Sequence, residues 1–316
     1  MNIVLMEPLG ISEEKLRKLS EPLISAGHDF RAYDSFSLDQ DELISRAKDA
    51  DAVIIANHPL PGAVIRACSR LKFISVAFVG IDHVDTGACV EAGIHVSNTG
   101  GYCTDAVAEL AVGLAIGCLR NVVECHESVM SCRGKGGLRG NELSGKTVGI
   151  VGTGAIGLRA AALFRDFRCS VLAYSRSVRP EAEFLGVEYV SLDEVMSNSD
   201  IVSLHVPLTP DTKGLIGSRE ISLMKPGAIL INTSRGPVVD TVALAEALRA
   251  GKIKAGIDVY DSDPPLSPDH PLIGAPGVIC TPHVGFDTVE SIDRRADMAF
   301  ENVTSWMSGR LIRRMI

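Results

Sequence analysis

The sequence contains no CxxC pair, and its eight cysteines are scattered over 316 residues. Zinc sites and disulfide frameworks are recognised by closely spaced cysteines, and this chain has no such spacing. We therefore expect free thiols, no metal site and a cytoplasmic location.

Long apolar runs are also missing. The longest, Leu110 to Leu119, is about half the length that a membrane-spanning helix needs, and it follows the acidic Glu109. The N-terminus has no charged region, and its short apolar run meets Glu7-Pro8, so it is typical of a first strand and not of a signal peptide. The sequence predicts neither export nor a membrane partner.

Basic residues are outnumbered, with 31 Lys and Arg against 39 Asp and Glu, and neither end of the chain carries a basic run. Nucleic acids and anionic membranes select basic patches, so neither is an expected partner. With 46% hydrophobic residues the chain can bury the cores of two ordinary domains, which argues against disorder. Chemistry on a small molecule is the favoured class of function.

Short apolar strands alternate with helical stretches along the chain. A first series of strands is predicted at 3–6, 52–56 and 73–76. After a flexible joint at 99–101, one long helix is predicted from about 104 to 132. A second series of strands follows at 147–151, 170–174, 201–204, 228–232 and 255–258. This alternation predicts parallel sheets covered by helices. A final helix at about 288–307 comes after the second series and is expected to return to the first domain.

The most informative local feature is the run Gly152-Thr153-Gly154-Ala155-Ile156-Gly157, between the predicted strand 147–151 and a helical run at 158–167. Gly152 permits a tight turn, Gly154 lets the backbone approach a pyrophosphate, and Gly157 lets helix and strand pack closely. The N-terminus of the helix then faces the phosphates. Glycine turns alone are common, but this strand, turn and helix context favours a dinucleotide site.

Three later segments place polar residues just beyond predicted strands, where parallel sheets carry functional clefts. Reduction of a 2-oxo acid requires a cation for the carboxylate, an acid for the developing alkoxide and a group that keeps this acid protonated. Arg235, His283 and Asp263 suit these roles in that order. Taken singly, each has an ordinary alternative: a surface ion pair, a structural histidine and a turn residue. The combination after a dinucleotide motif favours catalysis.

The whole pattern resembles the D-isomer-specific 2-hydroxyacid dehydrogenases, which include glyoxylate and hydroxypyruvate reductases, phosphoglycerate dehydrogenases and some D-lactate dehydrogenases. The motifs are residues 151–157, 205–215, 232–236 with 238–240, 256–259 and 281–283. The resemblance implies an α/β protein of two Rossmann-like doubly wound parallel-sheet domains, with the active site in the cleft between them. Residues 1–99 and 287–316 would form the flavodoxin-like substrate-binding domain, and residues 100–286 the dinucleotide-binding Rossmann domain.

The resemblance also implies individual roles. Arg235 would bind substrate, His283 would act as acid/base paired with Asp263, and the backbone N–H groups of Val79 and Gly80 would hold the substrate carboxylate. The residues expected to bind the cofactor, from the glycine run and from the resemblance, are Thr104, Gly152, Gly154, Ala155, Ile156, Gly157, Ser175, Arg176, Ser177, His205, Val206, Pro207, Thr212, Thr233, Ser234, Asp258 and His283.

Three positions depart from the family pattern. Asp263 stands where most members have Glu. Because its side chain is shorter, either the backbone adjusts to bring the carboxylate to His283 or the two side chains pair more weakly. Cys103 replaces a common Asn, and Phe286 replaces a common small residue; both would reshape the pocket. Formate dehydrogenase relatives have Gln at position 263, so the carboxylate argues against that chemistry.

The expected cofactor is NADP(H), with NAD(H) as the alternative. NAD-specific members carry an acidic residue at the end of the second strand of the dinucleotide fold, which repels a 2′-phosphate. Here the predicted strand 170–174 ends in Ser175-Arg176-Ser177, with Arg179 close behind. Ser175 removes the repulsion, and Arg176 can stack on adenine or bind the phosphate. The alternative is a solvated basic loop.

We expect an oxidoreductase that acts on a small 2-oxo or 2-hydroxy acid, as a reductase of the glyoxylate or hydroxypyruvate type. A short D-3-phosphoglycerate dehydrogenase stays open; the chain ends 33 residues after His283, which leaves no room for the regulatory domain of longer ones. A non-catalytic, dinucleotide-sensing corepressor also stays open, although the lack of long flanking tails favours an enzyme. The resemblance, and a run at 106–119 that is apolar on more than one face, predict a homodimer.

Overall fold

In a computed structural model, described for residues 1–262 and 264–316, the chain divides into two compact units. Unit 1 comprises Met1–Cys103 and Asp287–Ile316, and unit 2 comprises Thr104–Phe286. The first segment of unit 1 ends at Cys103, four residues beyond the boundary expected at residue 99. Tyr102 lies within this extension and is buried, with the ring of Phe78 and the guanidinium of Arg295 beside it.

Unit 1 alternates strands and helices. They are β1 (Asn2–Leu5), α1 (Glu13–Ser25), β2 (Asp29–Ala32), α2 (Gln40–Ala47), β3 (Ala52–Ile55), α3 (Gly62–Ala67), β4 (Phe73–Val76), α4 (Thr86–Ala92) and β5 (His95–Ser97). The parallel strands lie in the order β2-β1-β3-β4-β5. The strands predicted at 3–6, 52–56 and 73–76 are confirmed to within one residue. β2 was not predicted, because it is a largely exposed edge strand without an apolar run.

Unit 2 contains the second series. Its elements are α5 (Thr104–Arg120), α6 (Val122–Met130), β6 (Thr147–Val151), α7 (Ala155–Asp166), β7 (Ser170–Tyr174), α8 (Pro180–Phe184), β8 (Glu188–Tyr189), α9 (Leu192–Asn198), β9 (Ile201–Leu204), α10 (Ser218–Leu223), β10 (Ile229–Asn232), the 3₁₀ turn Gly236–Val238, α11 (Thr241–Arg249), β11 (Lys254–Ile257) and β12 (Val278–Cys280). The strands are parallel in the order β12-β11-β10-β9-β6-β7-β8. The strand order therefore reverses between β6 and β9, and in such sheets ligands bind beyond the carboxyl ends of the strands at this point.

Helices cover both faces of each sheet. In unit 2, α5 and α7 bury one face and α9, α10 and α11 bury the other. In unit 1, α2, α3 and α4 bury one face, and α1 shares the second with a last helix, α12 (Val289–Met307). The hydroxyl of Ser75 on β4 donates to the carbonyl of Ala299 on α12 at 2.9 Å. The α/β class with two doubly wound parallel sheets and the return of the last helix to the first domain are both confirmed.

The single long helix predicted at 104–132 is wrong. The chain breaks at Asn121, whose φ of 50° is left-handed, and α5 and α6 meet there at a bend of 58°. Asparagine tolerates this conformation, and the Asn121 side chain accepts a hydrogen bond from the ammonium group of Lys254, which also binds the carbonyl of Cys118 at 3.0 Å. A tertiary contact with β11 therefore ends α5.

The apolar faces of α5 are used inside unit 2. Ten of its 17 residues are buried, against α7 on one side and β10, β11 and β12 on the other. Its apolarity on several faces is therefore explained without a partner chain. No single helix in the described residues has the length and apolarity to cross a membrane; only the bent pair of α5 and α6, taken together, reaches those values.

Candidate functional site

The glycine run lies between β6 and α7, at the point where the strand order of unit 2 reverses. Gly152 has a φ of 97°, and a Cβ there would lie 2.6 Å from the carbonyl oxygen of His205. A Cβ on Gly157 would lie 1.9 Å from the carbonyl oxygen of Gly152, so only glycine permits this packing. A Cβ on Gly154 would meet no atom within 4 Å. Gly154 therefore faces open space at the N-terminus of α7, where Ala155 begins the helix.

Two buried polar atoms lie just beyond β9 and β10, at the same end of the sheet as the glycine run. Among the described residues, neither His205 Nδ1 nor Thr233 Oγ1 has a hydrogen-bond partner. His205 Nε2 lies 2.9 Å from the hydroxyl of Ser203, and burial lowers the pKa of His205 to about 4. A buried polar atom without a partner is costly unless a ligand completes its hydrogen bonds. Together with open Gly154 and the free N-terminal turn of α7, these atoms fit a dinucleotide.

The basic loop after β7 is tied to the glycine run. The Tyr189 hydroxyl on β8 donates to Thr153 Oγ1 at 2.9 Å and accepts the backbone N–H of Arg179 at 3.1 Å. Arg176 and Ser177 are exposed, and Ser175 is half-buried at the strand end. Tyr189 was not singled out in the sequence, because its two-residue strand carries no motif. It links the turn expected to hold phosphates with the loop expected to choose between cofactors.

Arg235 follows β10 in a loop that Asn232 shapes. The Asn232 side chain accepts the N–H of Ser234 at 3.0 Å and its hydroxyl at 2.8 Å, and donates to the Arg235 carbonyl at 3.0 Å. A Cβ on Gly236 would lie 1.9 Å from the Tyr260 carbonyl, so this loop packs directly on the segment after β11. Arg235 is half-buried, donates to the carbonyl of Ser234 and forms no ion pair with any described residue. Its charge is available to an anion.

The segment of His283 is held by Asp258, the residue after β11. The buried carboxylate of Asp258 accepts the Thr281 hydroxyl at 2.6 Å and the backbone N–H groups of Val284 and Gly285, each at 2.9 Å. His283 itself has a left-handed φ of 59°. The resemblance placed Asp258 among the residues expected to bind the cofactor; the structure shows that it also organises the turn that carries the acid/base candidate.

The departure at Phe286 affects the same turn. Its ring lies 5.5 Å from the His283 ring in an edge-to-face contact. The other departure, Cys103, is buried at the end of the first segment of unit 1. Asp263, the predicted partner of His283, lies outside the described residues.

The remaining predicted residues lie at the start of a helix or in loops that follow strands. Thr104 begins α5, and Val206 and Pro207 follow β9. Thr212 closes the loop after them: its hydroxyl donates to the Pro207 carbonyl at 2.6 Å, so it supports the loop. In unit 1, half-buried Val79 and Gly80 follow β4. Unit 2 thus gathers the glycine run, His205, Thr233, Arg235 and the His283 turn beyond adjacent strands of one sheet. No cluster of acidic, His or Cys side chains suited to a metal occurs in the described part of the chain.

Residues 112–285, more than half of the chain, match the sequence model of the NAD-binding domain of D-isomer-specific 2-hydroxyacid dehydrogenases. The glyoxylate reductase of Thermofilum pendens is 38% identical over 281 residues, which cover 86% of this chain and 83% of that protein. The hydroxypyruvate reductase of Blautia hydrogenotrophica is 36% identical, and the match covers 88% of each chain.

A solved structure shares the whole architecture. The acyclic imino acid reductase Bsp5, in complex with NADPH and D-Arg, has a TM-score of 0.89 and 27% sequence identity, and the match covers 100% of both chains. The family model and the sequence relatives therefore agree on one family.

Proposed function

This chain belongs to the D-isomer-specific 2-hydroxyacid dehydrogenases, and we propose that it reduces a small 2-oxo acid of the glyoxylate or hydroxypyruvate type to the D-2-hydroxy acid, with NADPH as cofactor. The observation that carries the proposal is the half-buried guanidinium of Arg235, which has no ion pair among the described residues. It follows β10, which β9 separates from β6, the strand before the glycine run, and which β11 separates from β12, the strand before the turn of His283. A carboxylate substrate supplies the anion that this cation lacks.

Each catalytic residue has a distinct role in the proposed reaction. The bound nicotinamide cofactor supplies a hydride to C2 of the substrate. Arg235 binds the substrate carboxylate with its planar fork and polarises the adjacent carbonyl oxygen. His283 donates a proton to that oxygen as negative charge develops, and Asp263 is its proposed carboxylate partner. Unit 1 acts as the substrate-binding domain through the N–H groups of Val79 and Gly80, and unit 2 as the dinucleotide-binding domain.

The proposed preference for NADPH is supported by the loop after β7. Ser175 ends the strand where an acidic residue would repel a 2′-phosphate. The exposed side chains of Arg176 and Arg179 form no ion pair with any described residue, so both cations are free to bind a phosphate. The similar structure of Bsp5 contains NADPH.

The proposed homodimer is supported by α6, and not by α5. Only Ser128 of α6 is buried, whereas Val122, Val123, Val129 and Met130 are 39–70% exposed. Exposed apolar side chains clustered on one helix are typical of an interface, and a second copy of the chain is the partner we propose. Light scattering should give twice the chain mass of 33.6 kDa, and a Val129→Lys, Met130→Lys variant should give the monomer mass. A monomeric wild type at micromolar concentration would contradict the homodimer.

The cytoplasmic location stays a prediction.

The decisive experiment is a substrate panel followed by absorbance at 340 nm. Glyoxylate, hydroxypyruvate, pyruvate and phosphohydroxypyruvate are offered with NADPH and with NADH, and kcat/KM is compared. We expect the highest kcat/KM with glyoxylate or hydroxypyruvate. A maximum with phosphohydroxypyruvate would instead support a short phosphoglycerate dehydrogenase. Tight binding of NADPH without turnover of any 2-oxo acid would support a dinucleotide-sensing binding protein.

A further inference from the structure

Two consecutive peptide groups in unit 1 are held from one side. The carbonyl of Phe78 accepts the backbone N–H of Thr99 at 3.0 Å, and the carbonyl of Val79 accepts the side-chain amide of Asn98 at 2.7 Å. The peptide bonds of this segment are trans, so each N–H points away from the carbonyl of its own peptide group. The N–H groups of Val79 and Gly80 therefore point away from Asn98 and Thr99.

These two N–H groups have no partner in the described part of the chain, since neither donates to a backbone or side-chain acceptor there. Adjacent free N–H groups form a concave site that binds anions. A peptide group whose carbonyl accepts a hydrogen bond is also a stronger donor at its N–H, because hydrogen bonds in a chain polarise one another. Asn98 thus both orients the Gly80 N–H and strengthens it.

The orientation of the Asn98 side chain is fixed by its partners. Its Oδ1 accepts the N–H of Gly100 at 3.1 Å while its Nδ2 donates to the Val79 carbonyl. Both partners are backbone groups with a single role, so the amide can take only this orientation. Asn98 is 8% exposed, and little solvent reaches it to replace either bond.

The backbone of Asn98 is fixed in turn by α12 and the segment after it. Asn302 is 1% exposed; its Nδ2 donates to the Asn98 carbonyl at 2.8 Å, and its Oδ1 accepts from the Arg313 guanidinium at 3.0 Å. The Asn98 N–H donates to the Arg313 carbonyl at 3.2 Å. Every polar group of Asn98 is therefore engaged, and only one of its bonds reaches the Val79 loop.

We propose that Asn98 is a positioning residue for the substrate carboxylate: it fixes the Val79-Gly80 peptide so that the two free N–H groups bind this carboxylate. The inference depends on the proposed function for the identity of the anion. It adds a residue outside the catalytic set and a chain of support that runs from Arg313 through Asn302 and Asn98 to the Val79 loop.

The test compares Asn98→Ala with Ser97→Ala. Ser97 is the matched control: it is buried, adjacent to Asn98, and its hydroxyl donates to the Ile312 carbonyl at 2.7 Å without reaching the Val79 loop. We expect Asn98→Ala to raise KM for the 2-oxo acid by about 10-fold or more, with a smaller fall in kcat, since a carboxylate is bound alike in the ground and transition states. The Kd of NADPH should stay unchanged, and Ser97→Ala should keep the wild-type KM.

Two further measurements keep the proposal testable if Asn98→Ala folds poorly. Asn98→Asp retains the acceptor for Gly100 but removes the donor to Val79, so it should raise KM in the same way. In the cofactor-free protein, the amide NMR resonance of Gly80 should shift in either Asn98 variant and not in Ser97→Ala. A wild-type KM in a folded Asn98 variant, or an unmoved Gly80 resonance, would overturn the proposal. If wild type itself turns over no 2-oxo acid, the proposed function fails, and a shifted Gly80 resonance would still support the positioning role.

Discussion

The carboxylate of Asp258 lies 2.9 Å from the backbone nitrogen of Val284, the residue that follows His283. The second carboxylate oxygen accepts the N–H of Gly285. A buried anion therefore holds the turn in which His283 has a left-handed backbone. A misplacement of about 1 Å can cost roughly a hundredfold in rate, so in the proposed reaction we expect Asp258 to affect catalysis by fixing this turn, without taking part in proton transfer.

Asp258→Asn should destabilise the protein and slow turnover together. An amide NH2 facing a backbone N–H replaces an acceptor with a donor, which costs about 1–3 kcal/mol of the free energy of unfolding. Urea unfolding and kcat measure the two effects. Asp269→Asn, at an exposed aspartate whose side chain forms no hydrogen bond or ion pair with a described residue, is the control and should change neither. Unchanged stability in Asp258→Asn would contradict the hydrogen-bond account.

Arg235→Lys should lower kcat/KM by about 10- to 150-fold, since a charge-assisted bond worth about 1.5–3 kcal/mol is lost when a point charge replaces the planar fork. Thermal stability should hardly change, because Arg235 forms no ion pair with a described residue. Arg249→Lys is the control, since the Arg249 guanidinium donates to the Pro271 carbonyl, outside the predicted catalytic and binding residues. Near-normal kcat/KM in Arg235→Lys would refute the assignment.

His283→Asn should slow the chemical step by about 10²- to 10⁴-fold, the usual contribution of a general acid. Asparagine tolerates a left-handed backbone, so the turn at 59° should survive. Single-turnover oxidation of NADPH measures the step, and quenching of its fluorescence measures binding. An equal loss of NADPH affinity would show that His283 acts through the cofactor.

Arg176→Ala should reduce the ratio of kcat/KM for NADPH to that for NADH by about 10-fold or more, as expected for one lost arginine–phosphate bond. Arg17→Ala, which removes an exposed charge from α1, controls for the general effect of charge. Equal use of both cofactors by wild type would contradict the preference, as would an unchanged ratio in Arg176→Ala.

The free energy of unfolding should fall as pH drops from 7 to 5, in part through His205. Burial lowers the pKa of His205 to about 4 from 6.5, so the unfolded chain takes up a proton in a range where the folded ring stays neutral. Protonation then favours the unfolded state, by up to about 2 kcal/mol at pH 5; partial exposure of the ring reduces this value. His205→Gln should flatten the pH dependence measured by urea unfolding, whereas His126→Gln, at an exposed site, should not. Equal slopes in wild type and His205→Gln would contradict this account.

Much of the architecture was predictable because the signals are local. Buried parallel strands such as β3 and β10 are continuous apolar runs, and the glycines at 152, 154 and 157 meet steric demands of one short turn. The α/β class, the central strands and the family were all predicted and confirmed. Local signals failed at β2, whose pairing at the sheet edge is set by β1, and at Asn121, where Lys254 on β11 ends a helix that the sequence continues.

The amino-acid sequence by itself determined which residue types are available for hydride chemistry: a cation at Arg235, an imidazole at His283 and a glycine turn before α7. Only the tertiary structure decided how they are held. Asp258 binds the His283 turn across 26 residues, Tyr189 joins the glycine run to the basic loop, and Asn302 supports Asn98 across 204 residues. Hydrogen bonds over such separations leave no periodic trace in the sequence, because each depends on strand order and helix packing that bring a distant polar group within 3 Å of a side chain.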